Sequence, residues 1–175
     1  MAVDYLNLPL GERAPRVVNA VIEIPQGASN KYEYSKSLQV FQLNRPLFSS
    51  VHYPGDYGFI PHTRGADGDA LDILVLTSSP TFCGCLLEAR PVGFLLMKDE
   101  DEIDSKILAV SDADPLYATV KDLKDLEPHR LREIEHFFTV YKQLEDTKPK
   151  IDGWRGAKQA CKMIRVAARR FSKSS

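Results

Sequence analysis

Short apolar stretches, separated by Gly and Pro, dominate the first two thirds of the 175-residue chain. β-Branched and aromatic residues are concentrated in these stretches, and such residues favour extended backbone. Gly and Pro between the stretches, as at Pro54-Gly55 and Gly84, are typical of tight turns. The pattern predicts strands at residues 17–24, 31–34, 38–43, 57–60, 71–76, 86–96 and 106–110.

The last third of the chain has a helical period instead. Between residues 127 and 145, apolar side chains from Leu131 to Leu144 recur every three or four positions and form one stripe on a helix. A second helix is predicted at residues 154–171, where basic residues near its end suit the negative end of the helix dipole. Strands followed by two helices predict an α+β, mainly β fold, in which a small barrel or tightly curled sheet has helices packed outside.

Composition limits the classes of protein to which the chain can belong. With 175 residues, 43% of them hydrophobic, it can bury one core, and a single domain over residues 1–175 is expected. Its net charge of −1 gives no overall attraction to nucleic acid or to an anionic membrane. Cys83, Cys85 and Cys161 lack the spacing of a metal or redox site and are expected to be reduced thiols. Because the sequence has neither an apolar run of roughly 18 residues nor an amino-terminal signal pattern, a cytoplasmic protein is expected.

Two acidic clusters carry the most distinctive chemistry. The segment 67–72, just before an apolar run, contains Asp67, Asp69 and Asp72. A second cluster occupies residues 99–104, with Lys106 just behind it. Carboxylates crowded in this way repel one another unless a divalent cation lies among them, and such oxygen-rich sites suit Mg²⁺. The clusters predict a magnesium enzyme that acts on phosphate.

Each acidic cluster also has a simpler interpretation. An acidic surface turn would give the first pattern, and a solvated loop would give the second. A calcium-binding loop is excluded for the first cluster, because Leu71, Asp72 and Ser78 stand where that loop needs Asp or Asn, Gly and Glu. A phosphoaspartyl-enzyme motif is excluded as well, because its acidic pair follows a strand, whereas here the strand follows the acids.

Cationic side chains accompany the acids at a spacing that suits a shared site. Asp104 and Lys106 are two residues apart, as are Lys31 and Glu33, and residues two apart in a strand share one face. Ordinary surface ion pairs would have the same spacing. Arg45 follows a predicted strand, where its guanidinium fork would suit a phosphate.

Tyrosines and histidines occupy less distinctive positions. Tyr53 and Tyr57 lie on a Pro-Gly bend, and Tyr141, next to Lys142, belongs to the apolar stripe, so packing is their default role. The four histidines show no ligand spacing and no partner nucleophile, which argues against Ser–His and Cys–His catalysis. His136 on the first predicted helix is expected to pack in the core or to contact another subunit.

Taken in order, these residues and their neighbours resemble the family I soluble inorganic pyrophosphatases of the bacterial type, over nearly the whole chain. The core of the resemblance is Asp67-Gly68-Asp69-Ala70-Leu71-Asp72. The other matching segments are Val21-Ile22-Glu23-Ile24-Pro25, Lys31-Tyr32-Glu33, Tyr53-Pro54, Asp56-Tyr57-Gly58, Arg90-Pro91-Val92-Gly93, Asp104-Ser105-Lys106 and Tyr141-Lys142-Gln143-Leu144-Glu145. One departure is Ala70, where the family commonly has Pro.

The resemblance implies a fold, an activity and an assembly. The family fold is a five-stranded OB-like β-barrel with peripheral C-terminal α-helices. The family activity is Mg²⁺-dependent hydrolysis of inorganic pyrophosphate to two orthophosphates, by direct attack of a metal-activated water. Several Mg²⁺ ions act in each subunit, and Mn²⁺ or Zn²⁺ can replace them. Bacterial members are typically homohexamers, built as dimers of trimers.

The resemblance also implies a role for each matching residue. Asp69 would be the general base that deprotonates the attacking water. The metal ligands would be Asp67, Asp72, Asp99, Asp104 and Glu33. The phosphates would be bound by Lys31, Arg45, Tyr57, Lys106, Tyr141 and Lys142. Glu23 would act through metal-bound waters, and Tyr53 and Arg90 would line the site.

Two other functions fit parts of the pattern. A non-catalytic barrel module would bind oligonucleotides or a protein, but the acidic clusters would repel a nucleic-acid backbone. An enzyme for nucleotides or polyphosphates would use the same chemistry, but no base-stacking or ribose pocket is visible in the sequence. Pyrophosphate is therefore the expected small-molecule partner, and neither nucleic acid nor a membrane is expected.

Overall fold

A closed ring of five strands forms the centre of the protein. The computed structural model describes residues 3–99, 102–145 and 149–173, apart from the side chains of Asp99 and Glu102. The ring strands are β1 (Val18–Ile24), β4 (Asp56–Ile60), β5 (Leu71–Leu76), β6 (Leu86–Asp99) and β8 (Lys106–Ser111). They follow the order β1-β4-β5-β8-β6, and pairing of β6 with β1 closes the ring. The predicted mainly β fold, with five strands in a closed ring and C-terminal helices, is confirmed.

The ring is apolar on both faces, which explains its nearly continuous hydrophobic strands. In β5, Leu74 and Leu76 pack into one core together with the helix α1 (Pro128–Val140). The alternate residues Ile73 and Val75 pack into a second core, shared with the helix α2 (Ala157–Ser172). Each helix therefore covers a different set of ring side chains, as the apolar stripes in the sequence predict.

A separate hairpin adjoins the ring. Its strands are β2 (Asn30–Ser35) and β3 (Val40–Pro46), an antiparallel pair. The Tyr34 backbone N–H donates a hydrogen bond of 2.7 Å to Glu23 Oε1 of β1, which ties the hairpin to the ring. The predicted strands 31–34 and 38–43 correspond to this hairpin, with the second beginning and ending later than expected.

The first predicted helix, 127–145, is too long. The last two residues of helix α1 are the β-branched pair Thr139-Val140, and β-branched residues have reduced helix propensity. A short 3₁₀ turn, Gln143–Glu145, follows it. The turn redirects the chain toward the hairpin.

The second predicted helix, 154–171, starts too early. Trp154 lies in the strand β9 (Lys150–Gly156), which pairs antiparallel with β6, and helix α2 begins only at Ala157. Backbone pairing with β6 outweighs the helical pattern of these residues, and the Trp154 indole N–H donates a hydrogen bond of 3.2 Å to Glu135 of α1. A two-residue strand β7 (Glu102–Ile103) was also not predicted.

No helix within the described ranges is long and apolar enough to cross a membrane.

Candidate active site

A cavity of about 240 Å³ gathers most of the residues that the sequence singles out. Its lining comes from β1, the hairpin, the bend before β4, the acidic turn before β5, the start of β8 and the end of α1. The lining residues are Glu23, Lys31, Tyr32, Glu33, Tyr53, Tyr57, Asp67, Asp69, Ala70, Asp72, Asp104, Lys106, Phe138, Tyr141 and Lys142. Segments up to 119 positions apart in the chain, from Glu23 to Lys142, therefore meet at one site.

Asp104 and Lys106 meet the first acidic cluster because β5 and β8 are parallel neighbours. Ile73 is the register partner of Ile107, so the preceding residues Asp72 and Lys106 lie side by side on the same face. Asp104, two residues before Lys106, reaches the same point. The strand register thus places an ammonium group between two carboxylates.

Lys106 is the electrostatic centre of the cavity. Its side chain is buried, and its ammonium donates hydrogen bonds to Asp72 and, at 2.5 Å, to Asp104 Oδ1. It also lies 5.7 Å from the centre of the Tyr57 ring. Burial disfavours the charged form, but the two adjacent carboxylates outweigh it and raise the pKa of Lys106. The ammonium therefore stays charged and partly neutralises two predicted metal ligands.

The pKa of Glu23 is raised by burial and by the neighbouring carboxylates. Burial raises the pKa of Glu23 to about 8, although the hydrogen bond from the Tyr34 backbone opposes the shift. Repulsion from the Asp72 and Glu33 carboxylates adds to the rise. Without cations in the cavity, Glu23 is therefore largely protonated at neutral pH.

The hairpin contributes a second ion pair. Lys31 Nζ lies 2.6 Å from Glu33 Oε1, so the predicted side-by-side pairing is confirmed, as it is for Lys106 and Asp104. The Asn44 side chain donates a hydrogen bond of 2.8 Å to Glu33 Oε2. Both carboxylate oxygens of Glu33 therefore have a partner in this structure.

The acidic turn holds Asp67 and presents Asp69 to solvent. Asp67 Oδ1 accepts a hydrogen bond of 3.0 Å from the Asp69 backbone N–H, and the turn is made possible by Gly68 with φ of +92°. The Asp69 side chain is 72% exposed and lies 2.7 Å from Lys36 Nζ. Lys36 was not singled out in the sequence, where nothing distinguishes it from an ordinary surface lysine.

The tyrosines form an aromatic wall. Tyr53 and Tyr57 lie with their ring centres 5.4 Å apart, and burial, the largest effect, raises the pKa of both phenols. Tyr141 stacks on Phe137 at 5.4 Å, and Lys142 Nζ lies 5.6 Å from the Tyr141 ring centre. The Tyr53 and Tyr57 phenols therefore remain protonated and can donate hydrogen bonds.

Both arginines predicted for the site, Arg45 and Arg90, are paired with other protein groups. The Arg45 guanidinium is held by Glu145 at distances down to 2.6 Å. Arg90 lines a different cavity, where it donates hydrogen bonds of 2.7 to 3.0 Å to Asp112, Tyr117 and Val120. The expectation that Arg90 lines the acidic cavity therefore has to be corrected, because these three partners fix its guanidinium at the far end of β8.

The donor set suits hard divalent cations. Carboxylates of Asp67, Asp72, Asp104 and Glu33 face one polar cavity, and Lys106 engages a single oxygen of Asp72 and of Asp104. Across the described residues, no three acidic, His or Cys side chains are already arranged as a ready cluster around one ion. The predicted ligand Asp99 has its side chain outside the described part of the structure.

Similarity to known proteins now defines the class of the chain. The crystal structure of inorganic pyrophosphatase from Thermus thermophilus matches it with a TM-score of 0.95 and 42% identity, covering 97% of this chain and 99% of the other. Two relatives named inorganic pyrophosphatase are 52% identical (Nostoc sp.; 93% of this chain, 95% of the relative) and 48% identical (Methanosarcina acetivorans; 89% and 93%). The family model for inorganic pyrophosphatase matches residues 20–172. The chain belongs to the inorganic pyrophosphatase family.

Proposed function

We propose that this protein hydrolyses inorganic pyrophosphate to two orthophosphates, by direct attack of a metal-activated water. The observation that carries the proposal is that carboxylate and ammonium side chains line the same cavity. Asp67, Asp72 and Asp104 suit metal ions, while Lys31 and Lys106 suit phosphate oxygens. A phosphoanhydride needs both, since its negative charges must be held while a water is deprotonated. Membership in the inorganic pyrophosphatase family supports the same substrate.

Mg²⁺ is the proposed cofactor, with several ions in each subunit and Mn²⁺ or Zn²⁺ as possible replacements. The ligands would be Asp67, Asp72, Asp99, Asp104 and Glu33, with Glu23 acting through metal-bound waters. Bound ions of this kind lower the pKa of a coordinated water and neutralise charge on the leaving oxygen. Cation binding also favours deprotonated Glu23, because a positive charge nearby stabilises its carboxylate.

Side chains of the protein would abstract the proton from the attacking water and bind the phosphates. Asp69 would act as the general base, since its side chain lines the cavity and only one of its carboxylate oxygens, Oδ1, is paired with Lys36. Protonated Tyr57 is a donor for a phosphate oxygen, and Tyr53 packs against it. Lys31, Arg45, Lys106, Tyr141 and Lys142 complete the proposed phosphate-binding set.

Phosphate release from magnesium pyrophosphate, measured before and after chelation of Mg²⁺, tests this proposal. Turnover should stop on chelation and return when Mg²⁺ is restored. In Asp69→Asn, kcat should fall by a factor of about 10² to 10⁴, which is the usual contribution of a general base. Near-normal turnover of Asp69→Asn would remove Asp69 from the base role, and turnover that survives chelation would remove the metal.

The choice of substrate has its own test. Rates on pyrophosphate, ATP and tripolyphosphate should be compared with Mg²⁺ and then with Mn²⁺ or Zn²⁺. Pyrophosphate should be the preferred substrate, because charged side chains make up most of the cavity lining. A higher kcat/KM on ATP or tripolyphosphate with Mg²⁺ would overturn the assignment of pyrophosphate.

The proposal extends to location and assembly. Cys83, Cys85 and Cys161 are all free thiols, as expected of a protein in the reducing cytoplasm. A homohexamer arranged as a dimer of trimers is proposed from the resemblance to bacterial members of the family. Neither nucleic acid nor a membrane is proposed as a partner, since the cavity mouth is acidic and the net charge is −1.

A further inference from the structure

Arg45 and Glu145 do not line the acidic cavity, but they form a bidentate ion pair next to Lys31, which does. Arg45 Nε donates to Glu145 Oε1 at 3.1 Å, and one terminal nitrogen donates to both carboxylate oxygens at 2.6 Å. The side chains are only 19% and 17% exposed. Charge-assisted pairs with this fork geometry are stronger than ordinary surface ion pairs. Glu145 therefore occupies the edge of the guanidinium that a phosphate would use.

The pair joins two parts of the proposed phosphate-binding set. Glu145 closes the 3₁₀ turn directly after Tyr141-Lys142, where its backbone N–H donates a hydrogen bond of 2.9 Å to the Lys142 carbonyl. Arg45 lies in β3, where its register partner in β2 is Lys31. The ion pair thus ties the end of α1 to the hairpin strand pair that lines the cavity.

A chain of polar contacts leads from Glu145 into the cavity. The other terminal nitrogen of Arg45 donates a hydrogen bond of 3.0 Å to the Asn44 side chain. Asn44 donates in turn to Glu33, which is paired with Lys31. Displacement of Glu145 from Arg45 would therefore alter the contacts of Glu33 and Lys31, which both line the cavity.

We propose that Glu145 is a positioning residue that competes with phosphate for the Arg45 guanidinium and so sets how tightly substrate and product are held. The inference rests on the proposed role of Arg45 as a phosphate ligand. A phosphate that takes both prongs of the guanidinium must first displace the carboxylate, which weakens binding of pyrophosphate and of orthophosphate alike. Weaker product binding favours release of orthophosphate after each turnover.

The variant Glu145→Gln removes the competing charge while keeping the shape of the side chain. KM for magnesium pyrophosphate and the inhibition constant of orthophosphate should both fall by about 5- to 10-fold, without a rise in kcat. Glu145→Asp, which keeps the charge, should remain closer to the wild type. An unchanged or higher KM in Glu145→Gln would overturn the inference, since a purely structural brace for Arg45 would weaken substrate binding when removed.

A double-mutant cycle with Arg45→Gln separates this inference from the proposed function. Arg45→Gln alone should raise KM, and in its background Glu145→Gln should have no further effect on KM. A normal KM in Arg45→Gln would refute Arg45 as a phosphate ligand, and the inference with it. A raised KM in Arg45→Gln, with Glu145→Gln still lowering KM in that background, would refute the competition alone.

Glu133→Gln provides the matched control for this experiment. Glu133 is also a glutamate paired with an arginine, Arg130 at 3.1 Å, but its side chain is 47% exposed, and it lines a different cavity that shares only Tyr53 with the acidic one. The same substitution there should leave KM and phosphate inhibition at the wild-type values. Thermal unfolding and orthophosphate binding by calorimetry on each variant check that changes in KM report ligand affinity and an intact fold.

Discussion

At the residue scale, one buried lysine, Lys106, neutralises part of the negative charge in the acidic cavity. Lys106 is held between Asp72 and Asp104, whose side chains are 31% and 23% exposed. An ammonium in this place offsets the repulsion that would otherwise separate the two carboxylates. The same three residues must accommodate divalent cations under the proposed mechanism, so Lys106 affects both the stability of the protein and its affinity for metal.

We predict that Lys106→Met destabilises the metal-free protein by about 2 kcal/mol, because it leaves two partly buried carboxylates without their shared cation. Mg²⁺ should restore more stability in the variant than it adds to the wild type. Urea unfolding in chelator and in excess Mg²⁺ measures both effects.

Lys36→Met provides the control. Its ion pair with Asp69 is 61% and 72% exposed, and such pairs contribute little to stability. A loss in Lys106→Met no larger than that in Lys36→Met would contradict the role assigned to the buried lysine.

The raised pKa of Glu23 predicts that the stability of the metal-free protein depends on pH. The folded protein raises its pKa from 4.5 to about 8, so between these values the unfolded chain loses a proton that the folded protein keeps. The free energy of unfolding of the metal-free protein should therefore fall as pH rises through this window, by up to about 1.4 kcal/mol per pH unit. Below the window, Glu23 should contribute no slope.

Glu23→Gln, which cannot titrate, isolates this effect. Denaturant unfolding of both proteins in chelator, from pH 4 to 9, should give curves that diverge across the window. Wild-type and variant curves that stay parallel would show that Glu23 keeps an ordinary pKa.

Part of the site follows from sequence spacing alone, and part depends on tertiary contacts. Lys31 and Glu33, like Asp104 and Lys106, pair because residues two apart in extended backbone share a face. The pairing of Arg45 with Glu145 could not be predicted, because the two residues are 100 positions apart and meet only when α1 packs beside the hairpin. Arg90 fits the family motif, yet backbone carbonyls that no sequence pattern reveals determine its place.

At the element scale, the close approach of neighbouring strands limits which side chains fit between them. Gly58 of β4 faces β1, and a Cβ atom there would lie 1.9 Å from the Val21 carbonyl oxygen. Such a contact is far inside van der Waals distance, and the colliding atom belongs to the backbone. The β1–β4 pairing therefore requires glycine at this position.

We predict that Gly58→Ala destabilises the protein by more than about 3 kcal/mol, since only a shift of a ring strand can relieve the clash. Gly27→Ala should cost less, about 1 kcal/mol, because its added Cβ meets open space and only its φ of +82° is unfavourable. Thermal or urea unfolding of both variants gives the comparison. Equal losses would mean that the strand contact is not the cause.

The sequence predicts the strands of the ring better than it predicts β9, the strand that pairs with β6 outside the ring. Residues 71–76 are a strand as expected, since an apolar run of that length between turns suits a strand buried on both faces. The sequence predicts a helix at Trp154 because the residues after it have a helical period, whereas strand β9 forms by pairing with β6. Local sequence patterns therefore predict the strands of the ring, but they do not predict a strand that depends on pairing with a distant neighbour.

At the scale of the whole molecule, the single chain leaves large apolar side chains in contact with solvent. Phe48, Phe82 and Leu116 are 54%, 66% and 75% exposed. Single exposed apolar side chains are normal on a protein surface, so these three do not by themselves support an oligomer. They are the positions at which the oligomer proposed from the resemblance can be tested.

We predict a solution mass near six times that of one chain. Size-exclusion chromatography with light scattering, at micromolar concentration with Mg²⁺, measures it directly. Phe82→Ser and Leu116→Ser would each reduce the assembled fraction if these side chains lie between subunits. A wild-type mass equal to one chain would contradict the proposed hexamer.

The parallel register of β5 and β8 has a consequence for how such a site can change over time. Asp72 and Lys106 are adjacent because Ile73 is matched to Ile107 in the ladder, not because a loop joins them. Lengthening the connection around Gly84 leaves that alignment untouched, whereas one extra residue inside either strand turns its following side chains to the opposite face. The separation of the Asp72 carboxylate from the Lys106 ammonium is therefore set by the strand pairing, and a change in the length of a connection should leave it intact.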